Sequence, residues 1–106
     1  MSTAKVFITE PAEHDINEIE YYIGVKLCNE SAARNTIDGI INVIFELKDF
    51  PLKHALIHDS LLAALGIRLA WYNNYNIFYV YDEHKNDVHV LRVLSDRMDW
   101  RKALLG

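Results

Sequence analysis

The spacing of the apolar residues changes partway along the chain, and no single type of element accommodates both halves. In the first half Ala12, Ile16, Ile19 and Ile23 recur at intervals of four, three and four. Ala33, Ile37, Ile40, Ile41, Ile44 and Leu47 continue the same pattern. Such intervals bring side chains onto one stripe of an α-helix. After Gly66 the apolar runs are short, aromatic and β-branched: Ile67 to Tyr72, Tyr75 to Tyr81 and Val88 to Leu94. Runs of that composition, divided by polar breaks, read as strands. Two amphipathic helices followed by a strand-rich half imply an α+β domain, with the helix pair laid on one face of a sheet.

The punctuation refines this. Lys5 to Thr9 reads as a first strand. Thr9 is placed to cap a helix, Pro11 suits its first turn, and Glu10, Glu13 and Asp15 suit the positive end of its dipole. That helix is expected to run to about Lys26. Leu27 to Ser31 is a break, with Asn29 or Ser31 capping a second helix that ends at Asp49-Phe50 before Pro51. Gly39, inside the second helix, is expected to let the two helices approach closely. Leu52 to Leu65 reads as an irregular loop with a helical turn near Ser60 to Leu62. Asn73-Asn74 marks a turn and Asp82 to Asp87 a polar loop, so the last three strands form an antiparallel meander. Ser95 or Asp96 is expected to cap a short final helix over 97–104. The order is β-α-α-β-β-β with a helix hairpin packed on an antiparallel sheet and a short C-terminal helix, the second face of the sheet being only partly covered.

The bulk properties narrow the function classes. A chain of 106 residues makes one domain, 1–106, and buries about two-thirds of its unfolded surface without needing a disulfide or a metal. Its single cysteine, Cys28, excludes an internal disulfide and reads as a small buried hydrophobe. Met1 to Lys5 shows no apolar leader, and no run approaches the ~18 apolar residues of a membrane helix. A cytoplasmic location is expected, with no membrane association. The net charge of −4 argues against binding phosphate backbones, so no direct DNA binding is expected of the chain alone. There is no Gly-rich phosphate loop, nucleophile elbow or CxxC pair, and no cofactor is expected. His14, His84 and His89 read as surface or loop residues. His54 and His58, four apart with Asp59 beside them, fall short of a convincing ligand set, so no metal is expected either. The carboxylates Glu10, Glu13, Glu18 and Glu20 read as a solvated helix face.

Four stretches carry a family likeness. "VFITEPAEHDINEIEYYI", "FELKDFP", "LGIRLAWYNNYNIFYVY" and "VLRVLSDRMDW" resemble, in this order and spacing, the first strand and helix, the end of the second helix, the Gly-x-Arg strand with its Tyr-centred partner, and the last strand of the RelE/ParE toxin superfamily. The resemblance covers nearly the whole chain. It implies the toxin half of a type II toxin–antitoxin pair, held inactive by a cognate antitoxin. ParE-like members poison DNA gyrase; RelE-like members cut messenger RNA on the ribosome. A relic that only pairs with a partner protein is a third possibility.

Carried onto this sequence, the nuclease branch of the family implies Arg68, Arg92 and Arg97, with Lys53 or His54, as the groups that move protons and stabilise a phosphorane. The sequence departs from that branch at its end. Ser95 stands where many relatives have histidine, and residues 98–106 contain neither tyrosine nor histidine. The departure favours the ParE-like branch and binding over catalysis. The residues expected to meet a target or antitoxin are then Arg68, Tyr79, Tyr81, Arg92, Arg97 and Trp100, because aromatics and arginine concentrate at binding hot spots. All but Trp100 also have a plainer reading. Arg68 reads equally as an ion-pair partner for a helix carboxylate. Arg92, alternating with Val90 and Leu94, reads as a stem covering their apolar face. Arg97 reads as a solvated pair with Asp99, and the tyrosines as half-buried core. The partner is expected to cover apolar area on the helix pair or the open sheet face.

Overall fold

The computed structural model describes residues 3–106; Met1 and Ser2, part of the stretch read above for a leader, lie outside them. Strand β1 is Lys5–Ile8. Helix α1, Glu10–Tyr21, continues through a π-helical turn, Tyr22–Lys26. Helix α2 is Glu30–Glu46 and the short α3 is Ser60–Ala64. Strands β2 (Arg68–Tyr72), β3 (Tyr75–Asp82) and β4 (Asp87–Ser95) precede α4, Trp100–Leu105. The expected class is borne out: α+β, with the helix hairpin packed on the sheet.

Local chemistry explains the boundaries. The Thr9 hydroxyl accepts from the Ala12 N–H at 3.3 Å and also donates to the Val90 carbonyl at 2.9 Å, so one side chain starts α1 and ties it to β4. Asn29 caps α2, accepting from the Ala32 N–H at 3.0 Å. Between the helices Cys28 adopts the left-handed conformation with φ 53°. It is therefore exposed rather than buried: a residue at a sharp corner of the helix hairpin has no core to enter. Asp99, not Ser95 or Asp96, caps α4, accepting from the Lys102 N–H at 3.2 Å. Asp96 is unavailable because its own N–H still extends the sheet, donating to the Asn74 carbonyl at 2.8 Å.

The sheet has the order β1-β4-β3-β2. The meander β2-β3-β4 is antiparallel, and β1 joins its far side parallel to β4. The hairpin β2-β3 turns at Asn73 with φ 51°, as an Asn-Asn turn permits. Two cores result. The helix-side core holds Ala12, Ile16, Ile40, Ile44, Ala70, Ile77, Tyr79, Val88 and Val90. The opposite core holds Ile57, Leu62, Ile67, Phe78 and Leu94, closed by the segment 57–67 and by Trp100 and Leu104 of α4.

A bulge in β4 decides where the arginine of that strand lies. Tyr79 faces Val90, yet Phe78 faces Arg92, so Leu91 is an extra residue. Val90 therefore belongs to the helix-side core and Leu94 to the opposite one. The simple alternation of Val90, Arg92 and Leu94 on one face does not hold. The expectation for Gly39 also changes. A Cβ at Gly39 would run into the Tyr72 ring, so this glycine admits a side chain of β2. It is Gly24, whose Cβ would sit 3.4 Å from Ala33, that lies at the helix–helix approach.

Candidate functional site

The residues singled out in the sequence divide between two edges of the sheet. At the β2 edge the segment 53–58 folds back along the strand. Leu56 forms a bridge with Arg68, and the Leu69 N–H donates to the Ala55 carbonyl at 3.2 Å. This encloses a cleft of about 430 Å³ lined by Lys53, His54, His58, Leu69, Trp71 and Trp100 among others. The His54 ring meets Trp71 edge-on at 5.6 Å and Tyr79 at 6.3 Å. Burial holds the His54 pKa below the ordinary histidine value, with the nearby Lys53 ammonium acting in the same direction and Glu46 against it. Lys53 lies 3.5 Å from Glu46, both largely exposed.

Arg68 sits at this edge, but not as a partner for a helix carboxylate: its Nη1 donates to the His54 carbonyl at 2.8 Å. It thereby shapes the cleft by holding the backbone of the loop. Trp100 packs against Phe78 with ring centroids 6.0 Å apart and forms part of the cleft wall. Trp71, an aromatic that enlarges a binding surface only if exposed, joins Trp100 in the same site. It is 58% exposed, the most exposed aromatic of the strands, and only the fold-back of 53–58 brings His54 to it.

Tyr79 is removed from any open surface. It is fully buried, its hydroxyl donates to the Pro51 carbonyl at 2.9 Å, and burial pushes its pKa up. Tyr81 packs partly buried on the helix-side core and its hydroxyl bonds Asn86 at 2.7 Å. Both tyrosines thus pin loops to the sheet.

The second group lies where β1 stops and β4 runs on. Asp15 of α1 is buried against this uncovered length of β4. Its carboxylate accepts from Arg92 Nε at 2.7 Å, Arg92 Nη2 at 2.9 Å and the Val93 N–H at 3.0 Å. Arg92 Nη1 reaches the Ala103 carbonyl of α4 at 3.4 Å. The carboxylate raises the Arg92 pKa further. Arg92 therefore plays the structural ion-pair role that was equally open to Arg68, and it joins α1 to α4 around the edge of β4. Arg97 is exposed at the end of this groove of about 610 Å³, near Tyr75, Asn74 and Met98. Among the described residues it makes no ion pair with Asp99, which caps α4 instead.

The cleft and the Arg97 end are not one constellation. Arg68 begins β2 and Tyr72 ends it beside the Asn73-Asn74 turn, next to which Asp96 is bonded. At ~3.3 Å per residue those two ends are about 13 Å apart. Among the described residues no group of three or more His, Cys, Asp or Glu is placed to hold a metal ion. No helix among them is long and apolar enough to cross a membrane.

Comparison with known proteins adds to this geometry. No curated protein matches the chain. Among solved structures it is similar to a chain of the RelBE2 toxin–antitoxin complex of Mycobacterium tuberculosis, with a TM-score of 0.64 and 20% identity over 88% of this chain and 98% of that one. It is also similar to a chain of the chromosomal ParDE toxin–antitoxin system of P. aeruginosa, with a TM-score of 0.70 and 15% identity over 88% and 96%. At these identities the two structures speak for the fold. The model of the family described as the ParE toxin of the type II toxin–antitoxin system parDE matches residues 6–100, nearly the whole chain. The chain therefore belongs to the ParE toxin family of type II toxin–antitoxin systems.

Proposed function

We propose that this toxin arrests growth by binding DNA gyrase, without cutting RNA, and is neutralised by a cognate antitoxin protein. The observation that carries this reading is the engagement of Arg92 by Asp15 through two hydrogen bonds of 2.7 and 2.9 Å. Cleavage of the RelE kind needs cations and a proton-transfer pair converging on one phosphate. Arg92 is committed to a buried carboxylate, Arg97 lies in a different groove from Arg68, by the far end of β2, and the tail offers no histidine or tyrosine. The family match to ParE toxins supports the same branch. The toxin–antitoxin character of both similar structures supports a protein partner for this chain.

Purified protein at micromolar concentration should inhibit supercoiling by gyrase, and induced expression should stop growth. Unchanged supercoiling removes the gyrase assignment. Harmless expression of folded protein points to a relic that only binds its partner.

One observation favours a second reading. Lys53, His54 and Arg68 do meet at one cleft edge, and a histidine kept neutral by burial is a competent base. A RelE-like nuclease built on these three predicts messenger RNA cut in the ribosomal A site. Arg68→Ala that keeps both fold and toxicity would remove that mechanism.

A further inference from the structure

Strand β1 ends the sheet on the side of β4, and its outer edge is open. The Lys5 N–H donates to the Asn86 carbonyl at 3.1 Å and the Thr9 N–H to the Val90 carbonyl at 3.1 Å, so Lys5, Phe7 and Thr9 direct their backbone groups to β4. Successive residues of a strand turn these groups to opposite edges, and those of Val6 and Ile8 therefore face outward. Ala4 does too, but its N–H is taken by the Lys48 carbonyl at 2.8 Å. Among the described residues nothing pairs with the outer side of Val6 or Ile8. Such an edge is a template for a further strand.

The two open residues lie symmetrically about Phe7. A second copy of β1, laid antiparallel with Phe7 opposite Phe7, exchanges both backbone hydrogen bonds between Val6 of one copy and Ile8 of the other, and the two-fold axis repeats the exchange. Phe7 against Phe7 is then the pair without backbone bonds, in which side chains come closest. Phe7 is 44% exposed and lies on the sheet face away from the helices, stacked on His89 at 5.1 Å. Charge selects the same direction. Exposed Lys5 and Lys48 stand at the start of the strand, and exposed Glu10 and Glu13 at its end in the first turn of α1. None of the four makes an ion pair among the described residues. A parallel copy would set lysines beside lysines; an antiparallel copy brings each basic end to an acidic one, twice.

We infer that this chain pairs with a second copy of itself through β1, joining two four-stranded sheets into one of eight with Phe7 at the two-fold axis. The ladder is short, so the dimer forms as concentration rises and parts on dilution.

The test follows the mass of the full chain alone, by sedimentation, from micromolar to millimolar concentration. The mass should climb from 12.3 kDa towards twice that value. Phe7→Arg should weaken dimerisation about tenfold or more. Lys5→Glu should weaken it as well, and adding Glu10→Lys to Lys5→Glu should restore it. The Val6 and Ile8 amides should gain about tenfold or more in protection from hydrogen exchange as the dimer forms. A chain that stays monomeric throughout overturns the inference, as does a dimer that Phe7→Arg and Lys5→Glu both leave intact. Protection of the two amides that appears only on adding a protein partner also overturns it. The gyrase and antitoxin readings stand in either case.

Discussion

Replacing Asp15 with alanine deletes the acceptor of three hydrogen bonds at once. Arg92 Nε at 2.7 Å, Arg92 Nη2 at 2.9 Å and the Val93 N–H at 3.0 Å all lose their partner. The guanidinium is left with the Ala103 carbonyl at 3.4 Å. Removing one member of a fully buried pair costs about 3–5 kcal/mol, because the other charge stays desolvated. The Arg92 side chain is 25% exposed, so water recovers part of that and about 2 kcal/mol is the better figure. An orphaned backbone N–H adds about 1 kcal/mol. The sum, about 3 kcal/mol, is a large share of the ~5–15 kcal/mol that stabilises a typical domain. With a urea dependence of about 1–2 kcal/mol per molar, the unfolding midpoint should fall by about 1.5–3 M. The double variant Asp15→Leu, Arg92→Met removes both charges and should recover most of the loss, since an apolar pair of similar volume is often neutral. An unfolding free energy within about 0.5 kcal/mol of the parent for Asp15→Ala would refute the reasoning, for the pair would then be holding nothing.

Three further outcomes are expected. Gly39→Ala should lower stability by about 1–3 kcal/mol, because the new methyl meets the Tyr72 ring; pairing it with Tyr72→Leu should restore part of the thermal midpoint, and no recovery would place the conflict elsewhere. His54 has a folded pKa below its unfolded value near 6.5, so its contribution is full above that value and is lost as pH falls towards the folded pKa; urea midpoints across this range should show the loss in the parent and a smaller one in His54→Gln. Asp59 is likewise held below the ordinary carboxylate value, first by the Leu62 N–H and then by Arg101. Its contribution is present above about 3.8 and disappears as pH falls through the depressed value, so amide exchange in α4 should quicken there, and equal exchange in Asp59→Ala at neutral pH would contradict the tether.

Much of the fold was legible where the signal is local. Thr9 and Asn29 cap helices because their side chains reach donors three residues on, a relation written in the sequence itself. The meander was legible because Asn73-Asn74 can close only a tight turn. What escaped depends on tertiary contact. The partner of β1 is β4, and nothing local to Lys5–Ile8 names it. Ser95, Asp96 and Asp99 are all competent caps; the choice fell to Asp99 because Asp96 is still bonded to the β2-β3 turn. Of the candidate site, Lys53, His54, Arg68 and Trp100 were named and do line or shape one cleft. Tyr79 was not separable from a surface tyrosine, because alternation tells which face a residue takes and not how deeply that face is buried. Arg92 was misplaced because a period of two cannot register an extra residue.

That extra residue, Leu91, restricts how the chain can change in length. Upstream of it Val88 and Val90 look towards the helices; downstream Val93 does so again, with Arg92 and Leu94 on the other side. Deleting Leu91 would close the bulge and leave Val90 and Val93 towards the helices with Arg92 on the other side, whereas deleting His89 would turn Val88 or Val90 away from them. Inserting a second residue beside Leu91 would move the Val93 N–H away from Asp15. The tip of the turn between β3 and β4, Glu83 to Lys85, can gain or lose residues without such a penalty, since it is exposed. Evolution of this scaffold should therefore tolerate indels at the Glu83 to Lys85 tip and loss of the bulged Leu91, and be intolerant of them in the regular stretches of β4, a constraint on length rather than on residue type.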